Sequence, residues 1–333
     1  MRAAWYDKNG EADEVLQVGE LPTPEPGQGE VRIKMAFSGV NPSDCKSRAG
    51  SRPVKDGAIV VPHSDGAGVI DKIGAGVPAS RLGERVWLWN GQWQRAFGTC
   101  AQYICLPSEQ AVPLPASVTF EAGACLGIPA LTAIHAVDRV EDTLGGLQGR
   151  TVLVTGAGSG VGFYAAQMAK LRGARVIGTA GSAQKIQALA GVGIAEVIEY
   201  KTEPVAERIL QLTDGKGVDG IIDMDFGATV RLVPQGILAP FGTFVCYGSN
   251  DRGEAPLEFG AWLPRSLSLQ FFLVYLLPPA ARRRAVEGIN AWLEQGALQH
   301  LVAPAYALED VAAAHRAVES GALLGRVMVR FPD

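Results

Sequence analysis

Cysteine is scarce and dispersed in this chain. Its 333 residues include five cysteines, at 45, 100, 105, 125 and 246, and no two have the Cys-x-x-Cys spacing. An odd, scattered set excludes a disulfide framework, and each thiol reads as a small buried or half-buried apolar group. Excess positive charge is also missing. Thirty Lys and Arg face 34 Asp and Glu, a net charge of −4, which argues against nucleic acid or a membrane surface as partner. The longest apolar run, at 271–277, is too short to cross a bilayer as a helix. Residues 1–7 lack the apolar core of a signal peptide, so a cytoplasmic protein is expected. No internal repeat or low-complexity segment is present. Glycine and proline, by contrast, are plentiful at 41 and 20, as turn-rich β and α/β structure requires, and the length suggests two domains.

The most informative stretch is Thr151-Val152-Leu153-Val154-Thr155-Gly156-Ala157-Gly158-Ser159-Gly160-Val161-Gly162. It reads as a buried strand, a glycine turn and the start of a helix that continues through 163–172. Backbone N–H groups at such a turn point at an anion, and the helix N-terminus adds roughly half a positive charge. A Cβ would block the close approach of a pyrophosphate, so glycine is needed. The glycines can be counted in more than one register, and a bare match is equally a tight β–α turn. The strand 174–179 follows at the spacing of a βαβ unit and favours the dinucleotide reading. A cofactor without a 2′-phosphate usually meets an acid about 20 residues past the glycines. Here that region is Thr179-Ala180-Gly181-Ser182, without an acid, and Ser182 and Lys185 supply a hydroxyl and a cation. NADPH is therefore expected over NADH, with Lys185 as a plain solvated lysine the competing reading.

Residues 1–125 read as short strands and turns, with a strand at 31–37 and others at 85–89 and 101–106. The pattern turns helical from 120 to 140, broken at 127–133. Strands at 151–155, 174–179, 195–198, 219–223, 242–247 and 267–274 then alternate with helices, the rhythm of a doubly wound parallel sheet. The chain ends in another strand, 325–331. A chain that begins β, inserts a nucleotide-binding sheet and ends β is a discontinuous domain wrapped around a continuous one. Trp87, Trp89 and Trp93, with Phe97 and Tyr103, line a flat apolar pocket or pack in the core. His135 reads as structural, His300 and His315 as surface residues, and Arg282-Arg283-Arg284 as a solvated helix start.

The order of these pieces resembles the medium-chain dehydrogenase/reductase superfamily, and within it the quinone oxidoreductase (zeta-crystallin-like) branch. The resemblance rests on Ser38-Gly39-Val40-Asn41-Pro42-Ser43-Asp44, Asp65-Gly66-Ala67-Gly68-Val69-Ile70, Gly127-Ile128-Pro129-Ala130-Leu131-Thr132-Ala133, the 151–162 turn, Gly178–Ser182 with Gln184-Lys185, and Gly325-Arg326-Val327. It implies a Rossmann-type sheet at 127–274, binding NADPH, inserted in a GroES-like β-barrel-type catalytic domain formed by 1–126 and 275–333. It implies Asn41 and Thr132 as catalytic residues, Thr132 near the nicotinamide. Lys185 and Tyr200, with Ser182, would hold the 2′-phosphate. Gly156, Gly158, Ser159, Gly160, Val161, Gly162, Ser249, Asn250 and Arg326 complete the cofactor residues. Family members often carry a tyrosine five residues after the Asn; here Lys46 stands there, either donating to the acceptor oxygen or pointing to solvent. Relatives dimerise through an edge strand, so a homodimer through 267–277 is expected.

Zinc-dependent relatives bind metal through thiolate, imidazole and carboxylate. Asn41 replaces the thiolate, His63 stands one place early in His63-Ser64-Asp65, and Ile128 lies about where a further ligand would be. No metal is expected, and Asp65 is assigned to anchoring backbone donors. Without zinc to lower an alcohol's pKa, the site suits reduction of quinones, or alternatively of enones, alkenals or enoyl groups. A nucleotide-binding homologue with little catalysis is the reading from a different class.

Overall fold

The computed structural model describes residues 1–251 and 253–332. The chain divides into two compact units. One runs over Met1–Ile128 and resumes at Asn290; the other is Pro129–Ile289.

The first unit is built on a mostly antiparallel sheet around the strand Glu30–Gly39, which pairs with Asp65–Ile73, Tyr103–Pro107 and Met328–Arg330. Val31, Ile33 and Met35 alternate inward along it and join Ile70, Val86, Leu88, Leu106 and Val329 in one core. The helix Val311–Ser320 adds Val311 and Ala314 to that core. The register puts Gly39 opposite Asp65. The short helix Pro42–Lys46 begins just beyond, so Asn41 and Asp65 meet at one end of the sheet.

Among the described residues the second unit contains six strands: β1 (Thr151–Val154), β2 (Arg175–Ala180), β3 (Glu196–Glu199), β4 (Val218–Asp223), β5 (Leu238–Cys246) and β6 (Ser268–Phe271). All pair in parallel, in the order 3-2-1-4-5-6. Runs such as Val152-Leu153-Val154 and Phe244-Val245-Cys246 are buried throughout, as a parallel sheet covered on both faces demands. The helices used below are α1 (Leu131–Leu144), α2 (Gly160–Leu171) and α3 (Ala183–Gly191). The strand order reverses between β1 and β4, where sheets of this order bind ligands beyond the carboxyl ends of their strands.

Two expectations change. The last strand stops at Phe271, because Val274–Leu276 turn into a 3₁₀ helix. Arg282 is not solvated: it is buried and its Nη2 donates to the Val274 carbonyl at 2.7 Å. The helix Pro279–Glu294 packs largely with the second unit, where Arg284 pairs with Asp138 and Asp142.

Candidate active site

Two polar constellations stand out, one in each unit. In the second unit, Gly156 follows β1 with a left-handed φ of 58°. Its N–H donates to Thr179 Oγ1 at 2.9 Å, and the Ala157 N–H donates to the Thr179 carbonyl at 2.8 Å. The end of β2 thus holds the turn. Ser159 is the N-cap of α2, its Oγ accepting from the Gly162 N–H at 3.3 Å. A Cβ on Gly162 would stand 2.2 Å from the Gly156 carbonyl oxygen. The turn is therefore as close as backbone permits, and it fits a pyrophosphate laid against it, with Gly160 and Val161 in the first turn of α2.

The groups expected at the 2′-phosphate gather beside this turn. A Cβ on Gly158 would meet the Cβ of Lys185 at 2.6 Å, so the lysine stem lies across the turn. Ser182 caps α3, its Oγ accepting from the Lys185 N–H at 3.4 Å. A Cβ on Gly181 would stand 2.6 Å from Tyr200 Oη, so the tyrosine hydroxyl lies over Gly181 with half of its residue exposed. Thr132 is buried in the first turn of α1. At the switch point, Thr155 and Thr229 donate to Asp223 Oδ1 at 2.7 and 2.6 Å. Ser249 and Asn250 follow β5 and are bonded to Asp225.

In the first unit Asn41 is held on both sides. Its Nδ2 donates to Asp65 Oδ2 at 2.8 Å, and its Oδ1 accepts from Arg326 Nη2 at 2.6 Å. Its backbone N–H donates to Asp44 Oδ2 at 2.8 Å. Asp65 does anchor a backbone donor, the N–H of Ile128 at 2.7 Å, but not one from its own glycine turn. Gly127 makes room for that contact, since a Cβ there would lie 2.2 Å from Asp65 Oδ1. Arg326, grouped with the cofactor residues from the sequence, joins Asn41 and stands 3.8 Å from Asp65. Its buried Nε has no hydrogen-bond partner among the described residues. Burial pushes the Asp65 carboxyl up to about 6 and Asp44 up to about 7, with mutual repulsion adding to the second and Arg326 opposing both. Lys46 is exposed in the last turn of its helix.

Behind Asp65 runs a buried chain that sequence reading missed. Thr99 Oγ1 donates to the Asp65 carbonyl at 2.7 Å, so it accepts from Ser38 Oγ at 2.8 Å. Ser38, its one proton used, accepts from His63 Nδ1 at 2.8 Å. A neutral His63 then presents a bare Nε2, which accepts from His315 Nε2 at 2.9 Å. Burial keeps both rings neutral, holding His63 well below its ordinary value and His315 at about 3. His315 is fully buried, which corrects its assignment to the surface. The signal was available: Val311, Ala314, His315 and Val318 share one face of a helix. Trp87 is core, whereas Trp93, Phe97 and Tyr103 line a cavity of about 540 Å³ in this unit. Among the described residues, no group of three or more His, Cys, Asp or Glu is placed to hold a metal ion, and no helix is long and apolar enough to cross a membrane.

A parallel sheet of order 3-2-1-4-5-6 with a glycine turn after its first strand, carried by a chain that also folds a GroES-like sheet, defines a dinucleotide-binding α/β protein. Two family models match: "Alcohol dehydrogenase GroES-like domain" over residues 27–116 and "Zinc-binding dehydrogenase" over 160–291. A structure described as an NAD-dependent alcohol dehydrogenase is 31% identical, covers 100% of both chains and superposes with a TM-score of 0.89. The Escherichia coli quinone oxidoreductase complexed with NADPH is 26% identical over 99% of this chain and 100% of its own, with a TM-score of 0.84. The chain is also 32% identical, over 98% of its length, to a phenolphthiocerol/phthiocerol polyketide synthase of Mycobacterium tuberculosis, of which it spans only 15%. The chain belongs to the quinone oxidoreductase family of the medium-chain dehydrogenase/reductase superfamily, a family of oxidoreductases.

Proposed function

We propose that the protein is a zinc-independent, NADPH-dependent quinone reductase. The observation that carries the cofactor choice is the Lys185 stem lying across Gly158, beside Ser182 and Tyr200, with no carboxylate at the end of β2. An acid there would bind a ribose hydroxyl and repel a 2′-phosphate; an ammonium and two hydroxyls attract one. The relatives' names point both ways, one to NAD and one to NADPH, so the argument rests on these side chains.

When bound, the cofactor supplies a hydride from nicotinamide C4, and a quinone takes this hydride and a solvent proton to become the hydroquinone. The chain's own contribution is positioning and polarity. Thr132, with Ser249 and Asn250, orients the nicotinamide. Asn41 offers the second N–H of its amide to the acceptor oxygen, where negative charge develops. Asp65 and Arg326 fix that amide's orientation, because an N–H donor meets the carboxylate and the guanidinium meets the carbonyl. Lys46 is a secondary candidate for the same oxygen from its exposed position. Zinc independence is supported by the donor set: a neutral amide at 41 and an alkyl group at 128 are poor zinc ligands. We further assign a homodimer through β6, an edge strand whose last residue, Phe271, is exposed together with the nearby Leu273 and Leu276.

The likeness to a stretch of a polyketide synthase favours a second reading, with the same cofactor site but an enone, alkenal or enoyl acceptor. NADPH oxidation with 1,4-benzoquinone and 9,10-phenanthrenequinone, against 2-alkenals and alkenones, separates the two. Turnover of quinones with zinc-free protein is expected. Rapid alkenal turnover without quinone turnover would replace the first reading by the second, and one zinc per chain would overturn the site assignment.

A further inference from the structure

We infer that Asp225 is a positioning residue for the hydride step, holding the loop that carries Ser249 and Asn250. The inference rests on the nicotinamide-binding reading above and adds a residue that no motif marks. Asp225 lies two residues past the end of β4. Its Oδ1 accepts from the Asn250 backbone N–H at 2.9 Å and from Ser249 Oγ at 3.4 Å, and its Oδ2 accepts from Asn250 Nδ2 at 2.7 Å. Main-chain bonds run alongside: the Phe226 N–H donates to the Gly248 carbonyl at 3.1 Å, and the Gly227 N–H to Ser249 Oγ at 3.2 Å.

The same segment reaches the glycine turn. The Met224 N–H donates to Thr155 Oγ1 at 3.0 Å, and a Cβ on Gly156 would fall 2.1 Å from Met224 Sδ. Residues 223–227 therefore bridge the pyrophosphate turn on one side and the loop after β5 on the other. The two ends differ in kind. Turn geometry is secured by backbone and by buried Asp223, whereas Ser249–Asn250 make three of their hydrogen bonds to one half-buried carboxylate, beside the bonds from Phe226 to Gly248 and from Gly227 to Ser249. Loss of that carboxylate leaves the phosphate end intact and frees the nicotinamide end. A small displacement of a bound reactant costs rate far more than affinity.

The test compares wild type with Asp225→Asn, Asp225→Ala, Asn250→Asp and the exchange Asp225→Asn/Asn250→Asp. NADPH dissociation constants, single-turnover NADPH oxidation with the best acceptor, and melting temperature without cofactor are measured for each. The two Asp225 variants are expected to keep NADPH affinity within roughly twofold and to slow the single turnover by roughly ten- to a hundredfold. In the exchange the amide at 225 donates to the carboxylate at 250, and the rate returns to within a few fold of wild type. Unchanged rates in both Asp225 variants overturn the inference. So does a parallel loss of affinity, melting temperature and rate that the exchange does not restore, because that marks a residue needed only for folding. Wild-type protein that binds neither NADPH nor NADH overturns the parent reading and Asp225's role with it; wild-type turnover beside unaffected variants overturns only the latter.

Discussion

The glycine turn of the second unit and the Asn41 cluster of the first solve the problem of polarity in opposite ways. Around the turn, side chains are absent at 156, 158, 160 and 162 and polarity is carried by backbone, with the N–H groups of 156, 157, 159 and 162 tied to oxygens of the same turn and of Thr179. Around Asn41, side-chain polarity is closed on itself. Asp65 takes Asn41 and the Ile128 N–H, Arg326 takes Asn41, and Thr99, Ser38, His63 and His315 are used in series behind them. On the reading proposed above, one region receives a ligand's charge; the other holds one amide in one orientation. Substitutions should therefore fail differently: stability is lost at the closed cluster, and ligand choice is lost at the open turn.

The largest effect is expected at the closed cluster. Asp65→Ala leaves the Asn41 amide and the Ile128 N–H without their acceptor, and Arg326 without its neighbouring carboxylate, in a fully buried place. A loss of about 3–5 kcal/mol is expected, read as the urea midpoint and slope of the apo-protein. A loss below about 1 kcal/mol would show that the cluster is not closed in solution.

Next comes the open turn. Lys185→Glu replaces the cation lying across Gly158 with a carboxylate against the 2′-phosphate. NADPH affinity is expected to fall roughly a hundredfold, about 2.7 kcal/mol, with NADH affinity nearly unchanged and the apo-protein as stable as before. Calorimetry with both cofactors decides; equal losses for both would place Lys185 outside the phosphate site.

The same contrast explains what could be read in advance. The turn is one contiguous run, 151–162, whose strand, glycines and helix start are adjacent in sequence, and Lys185 lies within the same βαβ unit. The parallel order followed from the repeated strand–helix rhythm. The closed cluster joins residues 24 to 285 positions apart, such as Asn41 with Asp65 and Asn41 with Arg326. Family resemblance supplied Asn41, but nothing local linked it to Arg326, and His315 was misplaced because its helix was not drawn as a face. Asp225 escaped for a related reason: an acid after a strand has no signature until the loop it holds is folded beside it.

The two histidines give a third, pH-dependent test of closure. Unfolded, each titrates at the ordinary histidine value of 6.5; folded, His315 titrates at about 3. Between these values the unfolded chain binds more protons, so this contribution is complete above pH 6.5 and is lost as pH falls toward 3. Asp44 and Asp65 act oppositely, since their folded values near 7 and 6 exceed the ordinary 3.8; their contribution is lost as pH rises through that window. His315→Asn removes one of the opposing terms. Between pH 7 and 4.5 the wild type should lose ~2–3 kcal/mol more than this variant, measured by urea denaturation at each pH. Nitrogen-15 spectra of the wild type should show the proton on Nδ1 of His63 and on Nε2 of His315; the reverse pair would break the chain of donors at Ser38.

The smallest expected effect sharpens the open side. Tyr200 stands half exposed, and its hydroxyl lies over Gly181 rather than in a buried bond. Tyr200→Phe keeps the ring over Gly181 and removes only the hydroxyl. A hydrogen bond from a phenol to a charged phosphate, partly exposed to water, contributes about 1 kcal/mol. NADPH affinity should therefore fall roughly fivefold, with NADH affinity and melting temperature unchanged. Made on top of Lys185→Glu, the same change should cost less than it does alone, because the phosphate is already repelled from the place where the hydroxyl waits. Full additivity would mean that tyrosine and lysine do not share a ligand group, and the 2′-phosphate would then have to be sought elsewhere at the end of β2.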